Sequence, residues 1–218
     1  MKNRIEAVIF DLDGVIVSTD ECHFRAWKQM ADEEGIPFDR QINERLRGVS
    51  RMESLGIVLE RAERAYTDEE KVSLAARKNE YYRQLLANLT PADVLPGAKQ
   101  IVRNLRLRGA RTAIGSSSRN APLILEKTGC EGLFDAVADG NGISRSKPDP
   151  EVFLLAARLL NIEPRRCAVV EDAFAGILAA KAAGMKAIGV GCAQACDLAD
   201  DTAAGLDEMS AERLLASN

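Results

Sequence analysis

Asp11 and Asp13 flank a single apolar residue, Leu12, in the stretch AVIFDLDGVI that covers residues 7–16. Two carboxylates this close repel each other and raise each other's pKa unless a cation sits between them. Other polar groups recur where apolar runs end: Ser116-Ser117-Ser118-Arg119-Asn120, then Ser146-Lys147-Pro148, then Glu171-Asp172. Taken singly, they read as a serine N-cap, a solvated lysine and an acidic first turn. Taken together, their types fit a reaction on a phosphate. The carboxylates of Asp11 and Asp172, with a backbone carbonyl near Asp13, offer the hard oxygens that Mg²⁺ prefers. The serine-rich turn before a helix at Ala121 offers hydroxyls and free backbone N–H groups to an anion. Lys147, stiffened by Pro148, brings a compact positive charge to the same anion. With metal, donors and lysine around phosphorus, a carboxylate in line with it takes the role of nucleophile, and Asp11 is the candidate. Asp13 is then the acid/base that protonates the leaving oxygen and deprotonates the incoming hydroxyl.

These residues need a scaffold that gathers strand ends. Five short apolar runs, at 6–10, 111–115, 134–138, 167–170 and 186–190, alternate after the first with helical periodicity at 121–128, 151–160 and 173–183. Strand and helix in repetition predict an α/β fold, a Rossmann-like parallel sheet with helices on its faces. Near-continuous apolar strands agree, because such a sheet is covered on both sides. Ligands then bind outside the carboxyl ends of the strands, where the polar groups fall. Gly129 and Gly184 suit the positions just past two helices, and Asp149-Pro150 suits the N-cap and first position of another.

The stretch 19–90 reads as helices throughout. Thr67 and Glu70 form a capping box that opens a helix to about Ala87, and Ser50 caps another running towards Arg64. Pro91 and Pro96-Gly97 mark the return to the sheet. The expected organisation is an α/β core, residues 1–17 and 91–218, interrupted by an α-helical domain at 18–90. The last dozen residues read as a terminal helix.

FDLDGV, the serine at Ser116, Lys147-Pro148 and Glu171-Asp172 resemble, in order and spacing, the four motifs of the haloacid dehalogenase superfamily of phosphotransferases. The helical insert resembles that family's mobile cap. The resemblance implies a phospho-aspartyl intermediate on Asp11, with Ser116 and Lys147 at the reacting phosphate. It also implies Mg²⁺ held by Asp11, the Asp13 carbonyl and Asp172, with Glu171 close to the metal. Within the superfamily, HFRAWK at 23–28, RLRGVSR at 45–51, RKNEYY at 77–82 and SSSRNAP at 116–122 resemble mutases of β-D-glucose 1-phosphate. Those enzymes form glucose 6-phosphate through glucose 1,6-bisphosphate, which acts as an activating intermediate.

That resemblance implies that His23 contacts Asp13 and that Trp27 lines the sugar site; the two lie at i and i+4, on one helix face. Arg51, with Ser118 and Asn120, would hold the non-transferring phosphate. Lys78 and the Gly48-Val49-Ser50 turn would reach sugar hydroxyls, and Leu12, Ser117 and Arg119 complete the substrate contacts. Cap closure that excludes water would favour transfer over hydrolysis, with His23 coupling Asp13 to it. The chain departs from the pattern at Ser18, usually an aspartate, at Cys22, where a tyrosine is expected, and at Arg119, which replaces a lysine. Two alternatives use the same motifs: a sugar-phosphate or phosphoglycolate-type phosphatase, and a receiver or binding module phosphorylated on Asp11. The helical insert and the second acid, Asp13, argue against the receiver.

Composition narrows the rest. The chain has 218 residues, 46% hydrophobic and 28% charged, with a net charge of -4. No apolar run is long enough to span a bilayer and no basic-then-apolar leader opens the chain, so a cytoplasmic location is expected. The acidic balance disfavours nucleic acid, and Arg103, Arg106, Arg108 and Arg111 read as a solvated helix face and end. Five scattered cysteines and one histidine suggest neither a disulfide framework nor zinc. The expected partner is a small sugar phosphate, with no membrane and no nucleic acid, bound by a monomer.

Overall fold

The structure, a computed structural model, describes residues 4–217. Strand β1 (Ala7–Phe10) runs into a helical excursion of α1 (Asp20–Glu33), α2 (Arg40–Glu44), α3 (Arg51–Leu59) and α4 (Asp68–Leu86). The chain then continues as α5 (Ala98–Leu107), β2 (Arg111–Gly115), α6 (Ala121–Lys127), β3 (Ala136–Ala138) and α7 (Glu151–Leu160). It closes with β4 (Cys167–Glu171), α8 (Phe174–Ala182), β5 (Lys186–Val190), β6 (Asp201–Ala203) and α9 (Ala211–Leu215). The strands form one sheet of order β3-β2-β1-β4-β5-β6, and every pairing is parallel.

That order sets the site. From β1 the chain steps outward through β2 and β3, then crosses to β4 and continues the other way, so the strand order reverses between β1 and β4. At such a reversal the loops leaving the two strands diverge and open a crevice at their carboxyl ends. The alternating side chains of β1 cover both sheet faces: Val8 and Phe10 join one hydrophobic cluster with α5, α6 and α9, while Ala7 and Ile9 join a second with α7 and α8.

The helical insert has a cluster of its own. Trp27, Met30 and Ala31, on one face of α1, pack with Leu55 and Val58 of α3 and Leu74 and Ala75 of α4. Reciprocal capping boxes open α3 at Ser50 and Glu53 and α4 at Thr67 and Glu70. The outgoing and returning segments run side by side: Ser18 N donates to Asp93 O at 3.1 Å and Leu95 N to Ile16 O at 2.9 Å.

Several element ends differ from the sequence reading. The helix capped by Ser50 stops at Leu59, well before Arg64. Phe134 packs tilted on Phe10, ring centroids 6.1 Å apart, and the strand begins only at Ala136. Strand β6 is not expected from the sequence: of its three residues only Ala203 is buried, so it carries no apolar run to read. The cap of α7 is shifted by one residue. Pro150 is the N-cap, its carbonyl accepting from Phe153 N and Leu154 N, while Asp149 Oδ1 accepts from Glu151 N at 3.0 Å from one position earlier. Among the described residues no helix is long and apolar enough to cross a membrane.

Candidate active site

Asp11 ends β1, where its N–H continues the ladder to Val170 O at 2.9 Å. Beyond the second acid, Gly14 has φ +80 and turns the chain back, its N–H donating to Val17 O at 2.8 Å. Glycine is required there twice over. The positive φ favours it, and a Cβ would overlap the Asp172 carboxylate at the end of β4. Lys147, reaching in from the loop after β3, donates to Asp11 Oδ1 and, at 2.6 Å, to Glu171 Oε1. Glu171 Oε2 accepts from Ala173 N at 2.8 Å. Both Glu171 oxygens are therefore engaged, and its work here is to hold Lys147.

Electrostatics shows what this cluster lacks. Burial works against the charge on Lys147, but Asp11 and Glu171 outweigh it and hold the ammonium above its usual range. Asp172 rises to about 8, through burial and then the Glu171 and Asp11 charges. Asp13 rises to about 7, again through burial and then Asp11, against the pull of a hydrogen bond that Thr19 Oγ1 donates to Asp13 Oδ1. One lysine does not neutralise this set. Ligand oxygens of Asp11, Glu171 and Asp172 lie within 4.8 Å of one another, all on buried residues, and an all-oxygen donor set of this kind fits a hard divalent cation.

Beyond β2 the anion-binding turn is held by its own side chains. Ser116 Oγ accepts from Ser118 N at 3.1 Å and Ser118 Oγ from Asn120 N at 3.2 Å, which leaves both hydroxyl protons to donate outward. Ser117 Oγ is buried without a hydrogen-bond partner among the described residues. Asn120 Nδ2 donates to Asn79 Oδ1 of α4 at 3.0 Å, a tie between sheet side and insert.

The insert supplies the facing wall. His23 Nδ1 lies 3.0 Å from Lys78 Nζ, and its ring packs on Tyr82 with centroids 4.0 Å apart. Burial, then Lys78 and Arg51, push His23 well below its usual pKa. Lys78 itself, only 2% exposed, falls to about 7 through burial and then Arg51, and stands 4.8 Å from the Trp27 ring centroid. Arg51, at the start of α3, has no carboxylate within 4 Å among the described residues; burial and then Arg119 lower its pKa. Two guanidiniums within electrostatic reach of each other on one cavity offer donors that suit an anion.

The sequence pattern that defines haloacid dehalogenase-like hydrolases matches residues 5–184. The chain belongs to this family. It is 49% identical over 192 residues to the β-phosphoglucomutase of Bacillus subtilis, covering 87% of this chain and 85% of that one. A phosphorylated-carbohydrate phosphatase of Thermotoga maritima is 31% identical over 186 residues, 84% of each chain. The crystal structure of a β-phosphoglucomutase from Clostridium difficile superposes with a TM-score of 0.88 at 38% identity, over 94% of this chain and 93% of that one.

Within this family member, one cavity gathers the sequence-predicted residues from both sides. From the core come Asp11, Asp13, Ser116 to Asn120, Lys147, Glu171 and Asp172; from the insert come His23, Trp27, Gly48 to Arg51 and Lys78. Leu12 is the exception: its side chain is fully buried in the core cluster, and it does not line the cavity. The expected contact of His23 with Asp13 is also absent. Lys78 takes the imidazole and Thr19 takes the carboxylate.

Sequence reasoning missed Thr19, Arg47, Asn79 and Tyr82. Arg47 Nη2 pairs with Asp20 at 2.6 Å, and its Nη1 stands 3.8 Å from Asp172 Oδ2, a reach from the insert to the acidic cluster. Tyr82 follows Lys78 by four on α4, a spacing that could have flagged it. Thr19 gave no signal: a threonine before a helix reads as its N-cap, yet this side chain does not cap α1.

Proposed function

We propose that the protein is a β-phosphoglucomutase, interconverting β-D-glucose 1-phosphate and glucose 6-phosphate through phospho-Asp11 and glucose 1,6-bisphosphate. The observation that carries this is the make-up of one cavity: it holds buried acids with Lys147, and also two guanidiniums, Arg51 and Arg119, within electrostatic reach of each other, with Trp27, His23 and Lys78 on the same lining. A phosphatase needs one phosphate subsite, whereas a bisphosphorylated sugar presents two anions at opposite ends. The 49% identity to a β-phosphoglucomutase supports the same reading.

In this reading residues 18–90 are a cap over the core formed by 1–17 and 91–218. Asp11 attacks phosphorus as the bond to the sugar oxygen breaks; Asp13, with a pKa of about 7, donates a proton to that oxygen and later takes one from the incoming hydroxyl. Ser116 and Lys147 hold the phosphoryl oxygens in line. Asp11, Asp172 and the Asp13 carbonyl would hold Mg²⁺, with Glu171 behind them fixing Lys147. When bound, the ion screens the charge that the carboxylate nucleophile meets on the phosphate. Arg51, Arg119, Ser118 and Asn120 take the other phosphate, and the Gly48-Val49-Ser50 turn and Trp27 face the sugar.

The test is product analysis with Mg²⁺, β-D-glucose 1-phosphate and a trace of glucose 1,6-bisphosphate. Glucose 6-phosphate in excess over free phosphate is expected. Mainly free phosphate would replace the mutase by a sugar-phosphate phosphatase, the activity named for the Thermotoga maritima relative.

A further inference from the structure

Among the described residues, Lys78 differs from every other lysine in what its ammonium reaches. The others lie within 4 Å of a carboxylate or a backbone carbonyl. The two other buried ones show the contrast: Lys147 holds Asp11 and Glu171, and Lys186 donates to Arg213 O at 3.2 Å and Ala216 O at 3.0 Å. Lys78 is 2% exposed and has only the His23 ring nitrogen at 3.0 Å and the rings of Trp27 and Tyr82, with centroids 4.8 and 4.5 Å away.

A buried ammonium without a carboxylate is costly, and the group responds by giving up its proton. Burial and then Arg51 bring Lys78 to about 7, so at neutral pH much of it is free amine with a lone pair on nitrogen. Such a lysine is a nucleophile towards carbonyl carbon. The same cavity is lined by Arg51 and Arg119, whose forked donors suit phosphate. An amine and a pair of guanidiniums in one cavity fit a small molecule that carries both an aldehyde and a phosphate.

We propose that Lys78 is a covalent capture site for phosphorylated aldehydes, with Arg51 and Arg119 taking the phosphate and Nζ condensing with the aldehyde carbon. The nitrogen lone pair forms the C–N bond as the carbonyl π pair moves onto oxygen. That oxygen takes the two hydrogens of the amine and leaves as water, which gives an imine. No oxidant, reductant or metal enters, and water reverses the step. A ligand so held fills the cavity and blocks turnover until it hydrolyses. The inference rests on the cavity being a phosphate site, and holds equally for a mutase and for a phosphatase.

The test treats the protein with D-glyceraldehyde 3-phosphate and sodium cyanoborohydride, which reduces the imine to a stable amine, and maps the adduct by peptide mass spectrometry. Lys78 should be labelled at least about tenfold faster than any exposed lysine, with turnover lost in parallel. Glyceraldehyde, which lacks the phosphate, should label Lys78 about tenfold more slowly, and Arg51→Gln should bring the same loss at Lys78 while leaving exposed lysines unchanged. Saturating glucose 1,6-bisphosphate in EDTA should protect Lys78 alone. Labelling of Lys78 no faster than that of exposed lysines, equal rates with and without the phosphate, or no protection would each overturn the proposal. The product analysis above reports separately on the mutase reading, because the labelling requires no phosphoryl transfer.

Discussion

The two walls of the cavity are built by different means. On the sheet side, Asp11, Ser116 and Glu171 stand at ends of adjacent parallel strands, so the register of the sheet fixes their spacing and Lys147 ties two of them together. On the insert side, His23 and Trp27 on α1 and Lys78 and Tyr82 on α4 meet through helix packing. Ala26 of α1 and Tyr82 and Leu86 of α4 share one apolar cluster with the core strands, and Arg47, Gly48 and Asn79 also meet groups of the sheet side. Pairings of parallel strands resist displacement as a unit, whereas a helical insert joined by two short segments is free to settle on what it binds. In the proposed reading the sheet wall carries out the transfer, and the insert wall determines what is transferred and when.

That division orders the expected effects. Asp11→Asn removes the nucleophile from the rigid wall and should abolish turnover, by about four orders of magnitude or more in kcat; a variant with a normal rate would reject the assignment. Arg51→Ala removes charge-assisted bonds to the second phosphate and should lower kcat/KM by about a hundredfold, chiefly through KM. Equal losses for a substrate with one phosphate and for the bisphosphate would contradict the two-ended site. Gly48→Ala tests how the walls meet. Gly48 has φ +69, and a Cβ there would lie 2.8 Å from Ala173 Cβ, so the insert would be held off the sheet. We expect about a tenfold loss in kcat/KM, while a normal value would show that this contact does not limit seating.

The smallest effect concerns the metal. Asp172 and Asp13 are raised to about 8 and about 7, so the native state favours their neutral forms. Their stabilising contribution is fully present below about pH 4, the unfolded carboxyl range, and is lost as pH rises through those raised values. Mg²⁺ favours the ionised form. The gain in melting temperature on replacing EDTA by Mg²⁺ should therefore grow between about pH 5 and about pH 9, to about 5 °C. A gain that shrinks with pH would exclude the Asp172 carboxylate as a ligand.

The same contrast explains what the sequence lets one read. A parallel sheet delivers its strand ends to one edge, so FDLDG, the serine turn, Lys147-Pro148 and Glu171-Asp172 are legible from apolar runs and the polar residues just beyond them. In the insert, helical periodicity reveals faces but not which helices meet. The resemblance pairs His23 with Asp13, whereas in this structure Lys78 lies 3.0 Å from His23 although 55 positions separate them in the chain. Thr19 is hidden by its local meaning as a cap. Leu12 is misplaced when its neighbours' chemistry is allowed to spread to a side chain that the strand directs into the core.

Gly14 has one more consequence. A Cβ on the glycine after the two acids would fall in the volume of the aspartate that follows the fourth strand, so the glycine cannot grow while that aspartate stays. A larger residue at 14 should therefore be less harmful beside a smaller one at 172, an epistasis that a library varying the two together would read. The familiar spelling of the first motif is, in this molecule, partly written by the last.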